Sequence, residues 1–318
     1  MNSAPPGEPV SPALWSMHLA LMATMVVWAL NVTLIKWLVV TMDVMLSATL
    51  RMGFAALALI VLMYLGGKQL PLFRGRVLAL ACVSALLMVY ANQLLFVSAM
   101  TRTTASNASL LLALNPLLNG VMEALFFRKR LRPHYLLGVA ITLSGVCLAI
   151  FNNPGASWSA PSLGDLLVLG SMFAFGLGVV VLQYLSQHNV RHPGQLSLNS
   201  FIYTVGAAAL ALHVLLLSDN GFAQLPSLPW SIWGVLMFSG VIITALGAVA
   251  WGRGVATIGA GRAAIYMSWV PLLGVAFGAM VLDETLTVWH FYAMLAVLTG
   301  TLLCNLNPLW LRRQRLPA

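Results

Sequence analysis

The sequence predicts an all-α integral membrane protein of ten transmembrane helices, built as two inverted five-helix repeats with both termini in the cytoplasm. Three observations support this fold class. Of the 318 residues, 60% are hydrophobic and only 7% are charged, whereas about a quarter of the residues of a soluble domain are charged. The apolar residues fall into ten runs of about the 20 residues that a membrane-spanning helix needs. The second half of the chain also repeats the first.

Breaks at glycine, proline and charged residues define the ten predicted spans. They cover about residues 16–38, 44–65, 76–98, 104–127, 133–151, 163–186, 195–217, 230–251, 259–282 and 287–306. Residues 1–15 are rich in proline and lack a basic segment, so we expect a disordered tail and not a cleaved signal peptide. The two repeats are then residues 16–151 and 163–307, followed by a basic tail at 308–318.

The duplication is visible in an ungapped alignment. Placing Pro271 on Pro116, a shift of 155 residues, brings nine further identical pairs together in the fourth and fifth spans of each half and the corner between them, among them Gly145 with Gly300. A weaker match at a shift of 147 residues relates the first span to the sixth. Each half has five spans, an odd number, so the second half must cross the membrane in the opposite direction.

The charge distribution agrees with inverted repeats. Cytoplasmic loops of membrane proteins carry an excess of Lys and Arg. With the amino terminus inside, 13 of the 16 basic residues lie in cytoplasmic segments, and Asp43, Asp165, Asp219, Asp283 and Glu284 lie on the opposite side. The corner at residues 128–130 is basic, whereas its equivalent at residues 283–285 is acidic.

The fourth span is unusual for a helix that crosses a membrane. Asn107, Asn115, Asn119 and Glu123 share one face, because the spacings are multiples of four residues. Pro116 lies within the span, and Pro271 takes the equivalent place in the ninth span. Interrupted helices at matching places in two halves are the best sequence-level indication of a transporter's binding site. Pro116 and Pro271 are therefore predicted to break their helices near a substrate.

The order of these features resembles the drug/metabolite transporter superfamily, EamA type, over about residues 16–307. The residues that carry the resemblance are the prolines and glycines paired above, Trp28 with Asn31, Arg51, and the segment Leu282-Asp283-Glu284-Thr285-Leu286. In that family a Gly-Glu-Arg-Leu-like corner often ends the fourth helix of a half, but here Lys129 replaces its Glu in the first half. The resemblance implies alternating-access transport of small metabolites, usually outward across a bacterial inner membrane.

Polar and aromatic side chains within the spans are the candidate substrate-binding residues. Within a membrane such residues face the protein interior or a water-filled cavity. The candidates are Trp28, Asn31, Tyr90, Gln93, Asn115, Asn119, Tyr266 and Trp269. Amides and aromatic faces suit a zwitterion or a neutral polar molecule with an apolar side, and suit a polyanion such as a nucleotide sugar poorly. The alternative is that the amides only join neighbouring helices.

Three charged residues are candidates for coupling or charge relay: Glu123, Arg51 and Arg262. Burial raises the pKa of a carboxyl group, so Glu123 is a candidate proton carrier, and the alternative is an ion pair with Arg128 or Arg132. Arg51 has three alternatives. It extends to the outer membrane surface, makes structural contacts with backbone carbonyls or with Asp43, or binds a substrate carboxylate.

Several function classes find no support in the sequence. The basic residues form no stripe, so nucleic-acid binding is not expected. The scattered histidines predict no metal site, no cofactor is implied, and no nucleotide-hydrolysis or nucleophile motif predicts an enzyme. Gly274 and Gly278 predict close helix packing, either within the fold or between two copies as a homodimer.

We therefore expect a secondary active transporter, multi-pass in the inner membrane, that exports a small amphipathic metabolite, amino acid or drug-like molecule by alternating access. Its partners would be this substrate, the lipid bilayer and protons as a coupling ion. The alternatives are a membrane partner or sensor subunit that does not transport, a nucleotide-sugar exchanger, and a membrane-embedded enzyme acting on lipid. Matched prolines in inverted repeats favour transport, because a partner subunit has no need of them.

Overall fold

The computed structural model describes residues 12–127, 133–151, 162–188, 194–218 and 221–305, and these residues contain helices and no strand. The predicted all-helical class is confirmed. The first repeat contains α1 (Pro12–Thr41), α2 (Val44–Leu65), α3 (Gly75–Ala85), a π-helical segment (Leu86–Ala91), α4 (Asn92–Met100), α5 (Ala105–Leu112), α6 (Asn115–Phe127) and α7 (Pro133–Phe151). The second contains α8 (Leu163–His188), α9 (Gln195–Leu217), a 3-10 segment (Phe222–Ser227), α10 (Trp230–Met237), a π-helical segment (Phe238–Leu246), α11 (Gly247–Ile258), α12 (Ala260–Met267), α13 (Trp269–Leu282) and α14 (Val288–Asn305).

Seven helical segments in the described residues are long and apolar enough to cross a membrane. They are Trp15–Thr41, Val44–Leu65, Gly75–Met100, Leu163–Leu185, Gln195–Leu217, Trp230–Ile258 and Ile265–Leu282. Pro133–Leu148 and Val288–Cys304 are apolar but shorter. The predicted fourth span is divided between α5 and α6, and neither piece alone reaches the length of a span.

The helix boundaries repeat with the shift found in the sequence. α5 spans residues 105–112 and α12 spans 260–267, which is a shift of 155 residues at both ends. The same shift relates the end of α6 to the end of α13, and the start of α7 to the start of α14. The duplicated residues therefore fold into equivalent helices.

Two helices, α2 and α8, begin at capping side chains. The Asp43 carboxylate accepts the backbone N–H of Leu46 at 2.7 Å and so caps α2. Asp165, in the first turn of α8, accepts the backbone N–H of Ser162 at 3.1 Å, and its own N–H donates to the Ser162 hydroxyl at 3.1 Å. Such reciprocal bonds satisfy donors that a helix leaves unpaired at its start.

Glycines allow the two repeats to approach closely. On α7 and α14, a Cβ at Gly138 would meet the backbone oxygen of Gly300, and a Cβ at Gly300 would meet that of Gly138. On α13, Gly274 and Gly278 face Ser109 and Ser106 of α5. Small residues let helix backbones come together in membranes. The Gly274–Gly278 pair is thus used for packing within one chain.

Candidate functional site

The fourth helix of each repeat is interrupted at the same place. In the first repeat α5 ends at Leu112, and Ala113 follows with φ −60° and ψ −21°. In the second repeat α12 ends at Met267, and Ser268 follows with φ −63° and ψ −19°. The N–H of Ala113 donates to the backbone oxygen of Leu110 at 3.1 Å, and that of Ser268 donates to the backbone oxygen of Ile265 at 3.3 Å. Each interruption is therefore a turn of the 3-10 type, in which residue i bonds to residue i−3. Residues 113 and 268 are separated by the same 155 positions.

The two predicted helix-breaking prolines lie just after these interruptions. Pro116 is the second residue of α6 and Pro271 is the third residue of α13, where it is buried. A proline in the first helical turn costs little, because the N–H it lacks would have no acceptor within the helix. The prolines therefore begin the second segment of each helix. The side chain of Pro116 is outside the described part of the chain.

The third helix of each repeat contains a π-helical segment, which the sequence does not reveal. Leu86–Ala91 lies between α3 and α4, and Phe238–Leu246 lies between α10 and α11. Such segments are frequent at functional sites. The second one contacts α1 at two points: Trp28 donates from Nε1 to the backbone oxygen of Ile243 at 3.0 Å, and Ser239 donates to the Asn31 side chain at 2.6 Å.

Arg51 is the centre of a polar cluster between α1, α2, α4 and this second π segment. Its side chain is 1% exposed. Nε donates to the Ser239 hydroxyl at 2.9 Å, and Nη2 approaches Oε1 of Gln93 at 3.5 Å. Ser239 in turn binds Asn31. The structure thus brings together three predicted site residues, Asn31, Arg51 and Gln93, and adds Ser239.

The polar cluster continues to the second repeat through α4. Gln93 donates to the Asn92 side chain at 3.2 Å, and Asn92 donates to the backbone oxygen of Ser171 in α8 at 3.0 Å. Asn31, Asn92 and Gln93 are each only partly buried. The amides on α1 and α4 therefore join helices of both repeats while part of their surface remains open.

The charge of Arg51 has no carboxylate partner among the described residues. The ionisable side chain that interacts with it there is the phenol of Tyr203, from α9. Nη1 is buried and has no hydrogen-bond partner. Asp43, considered from the sequence as a partner, caps α2 and accepts the Ser218 hydroxyl at 3.1 Å. Within the described part of the chain, the guanidinium is therefore held by neutral groups.

Aromatic residues cover one side of α1 nearby. The rings of Trp28 and Trp251 are 5.8 Å apart and tilted by 45°. Tyr266 packs in the same cluster, and its hydroxyl is 2.6 Å from Nδ1 of His18. Trp28 and Tyr266, two predicted site residues from separate repeats, are thus brought together.

The remaining candidates take other positions. The Tyr90 hydroxyl is 3.0 Å from Nδ1 of His213, and Asn115 is partly buried at the start of α6. Trp269 is 45% exposed and belongs to none of the core clusters. The side chains of three candidates, Asn119, Glu123 and Arg262, are outside the described part.

A cavity of about 480 Å³ lies apart from this cluster, between α6, α7 and α8. Its lining is apolar and includes Leu117, Val139, Leu169 and Phe173. Phe173 is 52% exposed. The described lining of the cavity therefore offers no hydrogen-bonding side chain to a polar substrate, and the polar cluster around Arg51 is the better candidate site.

Comparisons with known proteins agree with the two-repeat architecture. The chain is 21% identical over 89% of its length to the uncharacterized transporter YetK of Bacillus subtilis (strain 168), covering 84% of that protein. It is 27% identical over 86% of its length to a "Probable amino-acid metabolite efflux pump" of Escherichia coli (strain K12), covering 90% of it. A solved crystal structure of a protein with 16% identity superposes with a TM-score of 0.63, over 95% of this chain and 98% of that one, which shows a shared fold.

The family comparison covers both repeats. The model of the EamA-like transporter family matches residues 15–151 and again residues 162–306. The resemblance noted from the paired prolines and the acidic corner is therefore confirmed. With its apolar helices, the chain is a multi-pass membrane protein, and it belongs to the EamA-like transporter family.

Proposed function

We propose that this chain is a secondary active transporter that exports a small amphipathic metabolite of the amino-acid class across the inner membrane by alternating access. Its ten spans would form two inverted repeats, with both termini in the cytoplasm. The main supporting observation is the matched interruption of the fourth helix in each repeat, at Ala113 and Ser268. Interrupted helices at equivalent places in two inverted repeats are typical of a transporter's binding site near the midplane.

An unequal packing of equivalent helices supports alternating access. α5 packs closely against α13 through Ser106 and Ser109, which face Gly278 and Gly274. The equivalent pair, α6 and α12, makes few contacts among the described residues. In the proposed orientation α5 and α13 are the outer halves of their helices. The close packing of α5 on α13 then closes the outer side in this conformation, and we infer that exchange of the two packings would open it.

The chemistry of the polar cluster supports a small, partly polar cargo. Asn31, Gln93 and Ser239 offer hydrogen bonds, and the Trp28–Trp251 pair offers an apolar surface. A polyanion would need several cations, whereas Arg51 is the one cation of this cluster among the described residues. The E. coli relative named as an efflux pump for amino-acid metabolites favours the same substrate class. Glu123 and Arg262 remain our candidates for coupling to protons.

Counterflow in proteoliposomes tests the proposal. Purified protein is reconstituted, the vesicles are loaded with unlabelled compound, and uptake of labelled compound is followed for amino acids, nucleosides, cationic dyes and nucleotide sugars. Empty liposomes are the control. We expect amino acids or their derivatives to exchange. Exchange of nucleotide sugars but not of amino acids would contradict the proposed substrate class, and no exchange of any compound would contradict transport.

A further inference from the structure

We propose that Arg51 is the carboxylate-binding residue of the transport site, so that the exported molecule must carry a carboxylate group. This inference rests on the proposed transport function and specifies its substrate class. The observation behind it is a buried guanidinium with no anionic partner among the residues that the structure describes: Arg51 is 1% exposed, and its hydrogen-bond partners there, Ser239 and Gln93, are both neutral.

A buried cation normally has an anionic partner. Removing a charge from water is costly, and neutral hydrogen bonds compensate the cost only in part. Three carboxylates in the described part of the chain are occupied elsewhere: Asp43 caps α2, Asp165 binds Thr103 and Ser162, and Glu284 binds the start of α5. α6, which carries Glu123, packs mainly against α8 among the described residues. A substrate carboxylate would supply the missing charge.

The hydrogen bonds of Arg51 leave one edge of the buried guanidinium without a strong partner among the described groups. Nε is fixed by the Ser239 hydroxyl at 2.9 Å, which orients the planar group. Nη1 has no partner, and the contact from Nη2 to Gln93 is long, at 3.5 Å. Two parallel N–H groups on one edge match the two oxygens of a carboxylate. The Nη1–Nη2 edge is therefore the expected binding position.

The neighbours of this edge suit the remainder of such a molecule. Asn31, Gln93 and Tyr203 are partly buried, so the cluster is not sealed by packing on every side. Displacing the weak Gln93 contact would free an amide to bind an amino or hydroxyl group of the substrate. The aromatic pair of Trp28 and Trp251 is joined to the same π segment as Arg51, because Trp28 binds Ile243 and Arg51 binds Ser239. A carboxylate with a polar substituent and an apolar side chain fits these groups.

Matched compounds test the role of the carboxylate on the full-length protein. In the counterflow assay, exchange of labelled phenylalanine is measured in the presence of unlabelled phenylalanine, of its carboxamide or of phenethylamine. The carboxamide has a neutral amide in place of the carboxylate, and phenethylamine has no group there. We expect the acid to compete at least about tenfold better than either analogue, since bonds to a charged group are stronger than neutral ones. Equal competition by the carboxamide would overturn the inference while leaving transport intact, and no exchange of any compound would overturn the transport function itself.

Variants then assign the effect to Arg51. Arg51→Gln should bring the strengths of competition by the acid and by the carboxamide to a ratio of about one. Arg51→Lys keeps the charge but not the planar edge, and should give an intermediate ratio. Arg102→Gln, at an exposed arginine outside the cluster, is the matched control and should keep the wild-type ratio. If Arg51→Gln does not fold, Arg51→Lys decides. An unchanged ratio in a folded Arg51 variant would show that another group binds the carboxylate.

Discussion

The side chain of Glu284, in the second repeat, binds Ser106 at the start of α5 in the first. Its Oε2 accepts the backbone N–H of Ser106 at 2.9 Å and the hydroxyl at 2.6 Å, while Oε1 accepts the N–H of Ala105 at 2.6 Å. A carboxylate is favourable at a helix amino terminus, where N–H groups lack partners and the helix dipole is positive. Lys36 binds the backbone oxygens of Met100 and Thr103 nearby, at 2.7 Å each. In the proposed orientation, these contacts hold the outer end of the repeats together.

We expect Glu284→Ala to destabilise the protein and to loosen this outer end. Loss of a capping carboxylate costs about 0.5–2 kcal/mol, so the melting temperature of the purified protein should fall by a few degrees. The exposed neighbour Asp283 provides the control. Its φ of 53° is one that Asn tolerates, so Asp283→Asn removes a charge without strain. Equal melting temperatures for the two variants would contradict a capping role for Glu284.

The crossing of α7 and α14 predicts a second effect on stability. Gly138→Ala would place a methyl group against the backbone oxygen of Gly300, and backbone cannot rotate away as a side chain can. We expect a loss of about 1–3 kcal/mol, as for other overpacked sites. In contrast, a Cβ at Gly234 of α10 meets nothing within 4 Å. Gly234→Ala should be neutral or stabilising by up to about 1 kcal/mol, because Ala favours helix over Gly. Thermal unfolding of both variants in one detergent measures the difference, and similar melting temperatures would show that the two helices separate easily.

Much of this fold follows from local sequence, because the spans end where Gly, Pro or a charged residue ends an apolar run. The predicted spans 44–65, 133–151 and 195–217 coincide with α2, α7 and α9. The interruption near Pro116 was predicted because proline cannot donate a backbone hydrogen bond. Its counterpart near Pro271 followed from the repeat, and the two turns have nearly identical dihedral angles.

The cluster around Arg51 was only partly predictable, because its members lie far apart in the chain. Arg51 and Asn31 were conspicuous as polar residues in apolar spans, but Ser239 is a small residue with no pattern of its own. Its contact with Arg51 joins positions 188 residues apart and depends on a π-helical segment. The exposure of Trp269 depends on which helices pack beside α13, and hydrophobicity alone does not determine this.

The turn before Pro271 predicts an effect on transport. Pro271→Ala adds a backbone N–H in the first turn of α13, which can donate to Met267 if α12 and α13 join into one helix. We expect slower counterflow with little change in melting temperature, since Ala also suits a helix. Leu273→Ala, two residues along, is the comparison, because it truncates a packed side chain. It should lower the melting temperature but have little effect on the counterflow rate per folded molecule. Wild-type rates for Pro271→Ala would mean that the turn forms without its proline and that the proline is dispensable for transport.

The proposed inverted topology predicts which loops face the outside of the cell. In a variant whose three cysteines, Cys82, Cys147 and Cys304, are replaced by Ala, single cysteines are introduced at Ala223 and Leu72. Both sites are exposed: Ala223 lies between α9 and α10, and Leu72 lies between α2 and α3. Because consecutive spans alternate in direction, an impermeant thiol reagent should label Ala223→Cys in intact cells.

The same reagent should label Leu72→Cys only after the membrane is permeabilised. Ser157→Cys and Arg130→Cys extend the experiment to the loops on either side of α7, with outside labelling expected for Ser157 and inside labelling for Arg130. The basic corner at residue 130 and the acidic corner at residue 284 are equivalent by sequence, so opposite sides for them are the central requirement of inversion. Labelling of Arg130→Cys from outside would reverse the proposed orientation. Labelling of Arg130→Cys and Ser157→Cys from the same side would contradict a membrane crossing by α7, and with it the inverted repeat.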